Sequence, residues 1–353
     1  MTPIYSIVVT TRNDDHGGDL VARTRCFMEG IYYQCRKFSL PVELIVVEWN
    51  PPQNSPLLKD VLPPPPPDSP VVVRYIVVPK YIHDKYFFSN KLGLFQMIAK
   101  NVGIRRAKGK FVLCTNIDLL FSDELFAFLK ENHIQENAFY RANRFDIKKE
   151  ILLEKGFEAQ LRFAKSNILQ RLGKNSGYEY LTNFPSFFFG FKRTAFLLNA
   201  IIRLLFRMYL GKTRFTMFEL DTFACGDFTL MSKNDWLRIE GYPELDLYSI
   251  HVDSMALIAA AAVGMKQVIL PEKMCSYHIF HENGWESFLN NPVGRVKFTE
   301  ERPGLDWSVV WSAGLHLIKH KTTWGLNKPD WGYANEKFKE YIFEPGKPML
   351  ETN

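Results

Sequence analysis

The chain has 353 residues, of which 46% are hydrophobic and 14% aromatic. It can therefore bury a substantial core, and its length fits one large domain or two intimately joined ones. The formal net charge is +6, and the basic residues are scattered apart from a cluster around residues 192–214. This charge is compatible with anionic ligands such as nucleotide phosphates or lipid headgroups, but it is too weak to indicate a protein that binds nucleic acid.

Cysteine usage and the start of the chain bear on the compartment. Five cysteines occur without a C-x-x-C pair and mostly within apolar segments, which indicates free core thiols in a reducing compartment. The opening PIYSIVVT is typical of a strand and not of a secretory leader. No uncharged apolar run of 18 residues occurs. We therefore expect a cytoplasmic protein without a transmembrane helix.

The first third of the chain alternates between strand and helix patterns. Strand patterns cover residues 4–11, 42–49, 71–79 and 110–115, and helical patterns cover about 19–38 and 92–108. Such alternation predicts an α/β fold with a mainly parallel, twisted sheet covered by helices. Residues 1–125 are accordingly interpreted as a nucleotide-binding type of α/β unit. The interruption at residues 51–70, with five consecutive prolines, predicts an extended, exposed connector, either a spacer or a docking site.

The stretch NVGIRRAKGKFVLCTNID, residues 101–118, predicts a helix end, a turn and a buried strand. Gly109 is placed to adopt the left-handed conformation that ends a helix. Asn116 and Asp118 then follow the strand at its carboxyl end. Ligands bind at that edge of open α/β sheets, and two side chains two residues apart can face the same metal or diphosphate.

The remainder divides into a second half, residues 126–300, and a C-terminal extension, residues 301–353. The first of these contains a helical insertion at about 145–215. Within the insertion, residues 191–214 combine an apolar stripe at helical spacing with flanking basic residues. This pattern fits a core-facing helix, and it also fits a helix that lies in the headgroup region of a membrane. Asn234 is expected to cap a short helix after a strand at 228–233.

Five motifs in this order resemble the GT-A-fold nucleotide-sugar glycosyltransferases, especially the large inverting family that builds glycans. They are SIVVTTRNDD, ELIVVEWN, NVGIRRAKGKFVLCTNIDLLF, GDFTLMSKNDWLRIEGYPE and YHIFHENGW, and together they span roughly residues 4–285. The third motif is similar to the run that ends in the family's D-x-D signature. Here that signature is N-x-D, because Asn116 stands in place of the first acid.

The resemblance implies a divalent cation, Mn²⁺ or Mg²⁺, that neutralises the departing diphosphate. Asp118 is the best candidate for a direct ligand, and His281 or His278 is expected to complete the site, since Mn²⁺ tolerates imidazole better than Mg²⁺ does. Asn116 removes one carboxylate from the usual pair. Three alternatives stay open: a weaker metal site, a site rebuilt with histidine, or a metal-independent enzyme that uses Arg or Lys.

The resemblance also implies that residues 1–125 are a nucleotide-sugar-binding half and residues 126–300 an acceptor-binding half. A general base is expected from Asp253, with Asp227 as the competitor that would otherwise orient the acceptor. Thr11, Arg12 and Asn13 at the first strand tip would contact a pyrimidine or ribose. The remaining candidates are Glu48 for a base or ribose hydroxyl, Asn116 and Asp118 at the nucleotide, and Trp49, Trp236 and Trp285 for stacking, although an indole in a core is an equal interpretation.

We therefore predict a hexosyltransferase that uses a nucleoside-diphosphate sugar, with a UDP-sugar favoured. The acceptor would be a glycan or a lipid-linked glycan, and the protein would be cytoplasmic, with peripheral membrane contact through residues 191–214 as a further option. Two alternatives remain. One is a catalytically silent nucleotide-sugar or glycan-binding module, suggested by Asn116, and the other is a sugar-phosphate nucleotidyltransferase, for which RNDDHGG lacks the G-x-G phosphate loop.

Overall fold

The computed structural model describes residues 3–173, 192–281 and 301–352. Thirteen strands form two sheets within these ranges. The strands are β1 (Tyr5–Thr11), β2 (Val42–Trp49), β3 (Val71–Val78), β4 (Phe111–Thr115), β5 (Leu119–Phe121), β6 (Ala138–Arg141), β7 (Arg144–Ile147), β8 (Ile168–Leu172), β9 (Phe228–Ser232), β10 (Lys266–Ile269), β11 (Ser276–Ile279), β12 (Lys339–Phe343) and β13 (Leu350–Thr352).

Helices connect these strands. They are α1 (Leu20–Lys37), α2 (Leu58–Val61), α3 (Lys80–His83), α4 (Gln96–Arg106), α5 (Asp123–Glu131), α6 (Phe157–Ser166), α7 (Lys192–Glu219), α8 (Lys233–Arg238), α9 (Val252–Ala262) and α10 (Trp307–His320), with a 3-10 helix at Lys149–Leu153. Trp285, which was singled out in the sequence, and residues 174–191 of the predicted helical insertion lie outside the described residues.

The main sheet has nine strands in the order β10-β6-β9-β4-β1-β2-β3-β12-β13. Its centre, β4-β1-β2-β3, is parallel throughout, whereas β9 and β12 run against both of their neighbours. A second sheet has the order β5-β11-β7-β8. The predicted α/β class, with a mainly parallel sheet and a mixed second half, is confirmed, and the architecture is consistent with a GT-A-like fold.

Both faces of the main sheet are buried. One face packs on α4, α8 and α9 through residues such as Ile98, Trp236 and Leu257, and the other packs on α1 and α5 through residues such as Phe27 and Leu125. A strand buried on both faces needs apolar side chains in both directions. This explains why the central strands are nearly continuous apolar runs.

Several local predictions need correction. The helix expected from residue 92 begins at Gln96, and α8 is capped by Ser232, whose side chain accepts from Asp235 N–H, and not by Asn234. The segment 51–70 is not wholly an exposed connector, because Leu58 in α2 is completely buried. The C-terminal residues extend the main sheet, with β12 pairing beside β3.

Gly109 has no positive φ, so the predicted left-handed turn is wrong. A Cβ at this position would lie 2.5 Å from the backbone nitrogen of Ser6, and the Gly109 N–H donates to the Ser6 hydroxyl at 2.8 Å. Glycine is therefore required here because β1 approaches closely, and not because of the backbone conformation.

The cysteines and two of the tryptophans are core residues, which is one of the interpretations given from the sequence. All five cysteines are free and buried, as predicted. Trp49 is fully buried and donates its indole N–H to His83, and Trp236 is fully buried and donates to the Val112 carbonyl. These two indoles are core residues. In the part of the chain that the structure describes, no helix is long and apolar enough to cross a membrane.

Candidate functional site

A cleft of about 760 Å³ opens at the carboxyl ends of β1 and β4. This is the edge where ligands bind in open α/β sheets. Among the described residues, its lining includes three histidines, five basic side chains and three carboxylates. An excess of cationic groups in a concave site favours an anionic ligand. The basic side chains are Arg12, Arg23, Lys91, Arg144 and Arg302, and the carboxylates are Asp14, Asp118 and Glu301.

Asp118, His278 and His281 meet in this cleft, and one potential ligand atom from each lies within 4.8 Å of the others. Asp118 follows β4 and precedes β5, and the antiparallel pairing of β5 with β11 brings His278 opposite Leu119. The Asp118 Oδ2 atom lies 3.1 Å from His281 Nε2 and 3.7 Å from His278 Nε2. The structure therefore brings together the three residues that the sequence suggested as metal ligands.

The surroundings of this cluster fit a divalent cation. Asp118 Oδ1 is buried and has no hydrogen-bond partner among the described residues. His278 Nδ1 lies 3.1 Å from Asp146 Oδ1, because β11 and β7 pair in parallel with His278 opposite Asp146. A carboxylate on the far nitrogen of a histidine orients the ring and leaves the other nitrogen for a metal. Two imidazoles and one carboxylate suit transition-metal ions better than Mg²⁺.

Arg23 closes the cluster from the α1 side. Its guanidinium donates to Asp118 Oδ2 at 2.9 Å, and its side chain is almost fully buried. Burial alone would raise the pKa of Asp118, but His278, His281 and Arg23 outweigh it and lower that pKa. Asp118 is therefore a carboxylate at neutral pH, which is the form that a cation needs.

The Asn116 side chain both accepts and donates hydrogen bonds. Its Oδ1 atom accepts from Gln96 at 2.8 Å and from Lys100 at 3.0 Å, and its Nδ2 atom donates to Asp227 Oδ1. Lys100 is completely buried and also donates to the Gly226 carbonyl, and burial lowers its pKa. The amide thus faces an ammonium on one side and a carboxylate on the other.

Asp227 links Asn116 to the histidine side of the cleft. Its Oδ2 atom accepts from Arg144 at 2.6 Å, and Arg144 also donates to Asp146 at 2.6 Å. A continuous set of contacts results, which we call the polar chain. Its members in order are Lys100, Asn116, Asp227, Arg144, Asp146, His278, Asp118 and Arg23.

Asp253 is not part of the cleft lining. One of its oxygens accepts from the Gly226 N–H at 2.9 Å, and the other accepts from the Ser254 N–H at 2.8 Å, at the beginning of α9. Gly226 directly precedes Asp227, so Asp253 holds the backbone next to Asp227. Asp227 does not line the cleft either, but it contacts Asn116 and Arg144, which do, whereas Asp253 contacts Gly226 and Ser254, which do not.

Besides Asn116 and Asp118, four residues are predicted to bind the nucleotide, and they divide into two pairs. Thr11 and Arg12 line the cleft, and the Thr11 hydroxyl is buried without a partner among the described residues. Asn13 and Glu48 do not line it. Asn13 donates to the Pro56 carbonyl, and both Glu48 oxygens accept from the Leu58 N–H. Burial raises the pKa of Glu48 to about 7, partly offset by that N–H.

Sequence reasoning missed Arg23, Lys100, Arg144 and Asp146. Arg144 and Asp146 occupy alternate positions of β7, so they share one face of a strand. Their alternation with Phe145 and Ile147 is a usable signal in the sequence. Arg23 and Lys100 lie on helices without any local pattern that separates them from ordinary surface cations.

No family model matches the chain, and no curated protein matches it. Among solved structures, it is similar to the one described as the crystal structure of S. aureus TarS 1-349. The TM-score is 0.36 at 12% sequence identity, over 90% of this chain and 71% of that chain. The function therefore rests on the chemistry of the cleft.

Proposed function

We propose that this chain is a glycosyltransferase that moves a sugar from a nucleoside-diphosphate donor, with UDP-sugars favoured, to a hydroxyl of a glycan or glycolipid. The observation that carries the proposal is the cluster of Asp118, His278 and His281 in a cleft rich in basic side chains. A diphosphate at the carboxyl ends of parallel strands would meet both the cluster and those cations.

Asp118, His278 and His281 would hold the divalent cation, and the two imidazoles favour Mn²⁺ over Mg²⁺. A cation bound there would neutralise the charge that develops on the departing diphosphate. Arg23 donates to Asp118 Oδ2, the oxygen that also lies nearest the two histidines, whereas Oδ1 has no hydrogen-bond partner among the described residues. Arg12 and Lys91, which also line the cleft, are placed to bind phosphate oxygens.

An inverting transfer needs a base that removes the acceptor hydroxyl proton. We assign this role to Asp227 ahead of Asp253, because Asp227 contacts Asn116 and Arg144, which both line the cleft. The partners of Asp253 are backbone N–H groups at a helix start. In this assignment Asp253 positions the segment that carries Asp227.

A catalytically silent nucleotide-sugar-binding module is the second candidate. The observation that favours it is that both carboxylates considered as bases are engaged, Asp227 by an ion pair and Asp253 by backbone N–H groups. Such a module would bind the donor and turn over none.

Calorimetric titration with UDP, with and without Mn²⁺, tests the binding part of the proposal. We expect Mn²⁺ to strengthen UDP binding in the wild-type protein and to have no effect in Asp118→Asn. Asp123→Asn, which removes a carboxylate that pairs with Lys37 outside the cleft, is the matched control and should behave like wild type. UDP binding that ignores Mn²⁺ in every variant would rule out the metal site and favour the metal-independent alternative.

Donor hydrolysis and transfer assays test the reaction. Asp227→Asn should retain UDP binding and lose transfer, whereas Asp253→Asn should retain part of the transfer. If Asp253→Asn loses transfer and Asp227→Asn retains part of it, Asp253 is the base. UDP binding without turnover of any donor by the wild-type protein would favour the silent module.

A further inference from the structure

Helix α7 carries large apolar side chains that are exposed to solvent. Met208 and Tyr209 are 73% and 87% exposed. The other members of this surface are Leu197, Leu198, Ile201, Leu204 and Leu205, with exposures between 38% and 62%. A helix that packs on a core buries such residues. The core-facing interpretation of residues 191–214 is therefore not what the described part of α7 adopts.

These residues form one continuous stripe. Leu197, Ile201, Leu204 and Met208 recur at intervals of three and four, which places them on one side of a helix. Arg203, which points elsewhere, lies 3.3 Å from Glu219. We call the set of seven residues the α7 stripe. A contiguous apolar surface on an exposed element marks a binding face.

Arg207 flanks the α7 stripe, and two further cations lie beyond the end of that helical stretch. Arg207, Lys212 and Arg214 are all exposed, and Lys212 and Arg214 follow Gly211, where the helix is interrupted at φ 74°. An apolar stripe with flanking cations matches helices that lie in the plane of a membrane interface. Anionic headgroups attract such cations by about 1 kcal/mol for each residue near the surface.

We propose that the α7 stripe docks this protein on an anionic membrane surface. Leu204, Met208 and Tyr209 would enter the boundary between headgroups and acyl chains, and Arg207 would contact the headgroups. A second copy of the chain fits the same surface less well. A contact between two copies would leave these cations without acidic partners, because residues 192–218 contain no aspartate or glutamate. This inference does not depend on the proposed glycosyl transfer.

Co-sedimentation of the full chain with lipid vesicles tests the proposal. We expect binding to phosphatidylcholine vesicles that contain phosphatidylglycerol, weaker binding at high salt, and little binding to phosphatidylcholine alone. Arg207→Gln should weaken binding about fivefold. The double variant Leu204→Glu and Met208→Glu should weaken it by more than about tenfold.

The matched control is Leu153→Glu, which changes an 80% exposed leucine outside α7 and should bind vesicles like wild type. Far-UV circular dichroism checks that each variant is folded, and light scattering measures its mass. Three outcomes overturn the proposal: no binding to anionic vesicles, binding that the α7 variants leave unchanged, or a wild-type dimer that the Leu204→Glu change dissociates without any vesicle binding. UDP titration of the same variants separates this question from the proposed reaction, because the α7 stripe does not line the cleft.

Discussion

Replacement of Asn116 by aspartate tests why the strand tip carries an amide where the resembled family has an acid. The amide accepts from Gln96 and Lys100 and donates to Asp227, at distances between 2.5 and 3.0 Å. An aspartate can still accept hydrogen bonds from Gln96 and Lys100, but it can no longer donate one to Asp227. It also places a second carboxylate directly against Asp227.

Three effects determine how much Asn116→Asp destabilises the folded protein. Two like charges about 4 Å apart repel by about 4 kcal/mol at an effective dielectric constant of about 20. The lost hydrogen bond to a charged group costs about 1.5–3 kcal/mol. Lys100, 3.0 Å from the Asn116 oxygen, attracts the new charge and offsets about as much as the repulsion costs. The net destabilisation at neutral pH is therefore about 2 kcal/mol.

Calorimetric unfolding of Asn116→Asp as a function of pH measures this cost. At about 2.1 cal/mol/K per residue, 353 residues convert about 2 kcal/mol into a fall in Tm of about 3 °C. The paired carboxylates raise the folded-state pKa of one of them above its unfolded value. The variant therefore recovers stability as the pH falls through that raised pKa, since a protonated carboxyl can donate to Asp227 again.

Asn54→Asp makes the same chemical change at an exposed position and should leave Tm unchanged at every pH. The reasoning is refuted if Asn116→Asp is as stable as wild type at about pH 8, because Lys100 would then dominate. It is equally refuted if the loss in Tm does not depend on pH.

Three further predictions concern Glu48, Asp146 and Gly109. The folded-state pKa of Glu48 is raised from 4.5 to about 7, so wild-type stability should fall by about 3 kcal/mol as the pH rises between these values. Glu48→Gln should abolish that fall in calorimetry and leave UDP binding unchanged. Asp146→Asn should weaken Mn²⁺ binding about 10- to 100-fold in a direct titration, because His278 loses its orienting carboxylate. Gly109→Ala and Gly109→Asn should both lower stability by about 1–3 kcal/mol in urea unfolding, because any side chain meets the β1 backbone. Asn should destabilise the protein at least as much as Ala. A glycine in the left-handed conformation would instead tolerate Asn better than Ala.

The sheet was predictable from the sequence because its strands are buried on both faces. That burial leaves nearly continuous apolar runs, and β1, β2, β3 and β4 are found within a few residues of the predicted ranges. The direction of each strand was harder to predict. β9 is as apolar as the parallel strand β4 beside it in the sheet, so nothing local indicates that the two run in opposite directions. Pairing at long range, and not propensity, decides that direction.

Part of the candidate site was predictable for a different reason. Asp118, His278 and His281 were selected by residue type and by the resemblance, and pairing between β5 and β11 brings them together. Arg23 and Lys100 could not be selected in this way. Their roles depend on tertiary burial beside Asp118 and Asn116, which leaves no local sequence pattern.

The polar chain gives a physical reason for the N-x-D sequence. Its arginines pair with its aspartates, whereas the Lys100 ammonium is bound, among the described residues, only by the neutral oxygens of Asn116 and Gly226. Between the ammonium of Lys100 and the carboxylate of Asp227, position 116 must accept on one side and donate on the other. An amide does both, whereas a carboxylate only accepts. Asn116 is thus fitted to its two neighbours and has no oxygen to spare for a cation. A metal in this cleft would depend on a single carboxylate, Asp118, and the remaining donors would have to be the histidines of β11 and the loop after it.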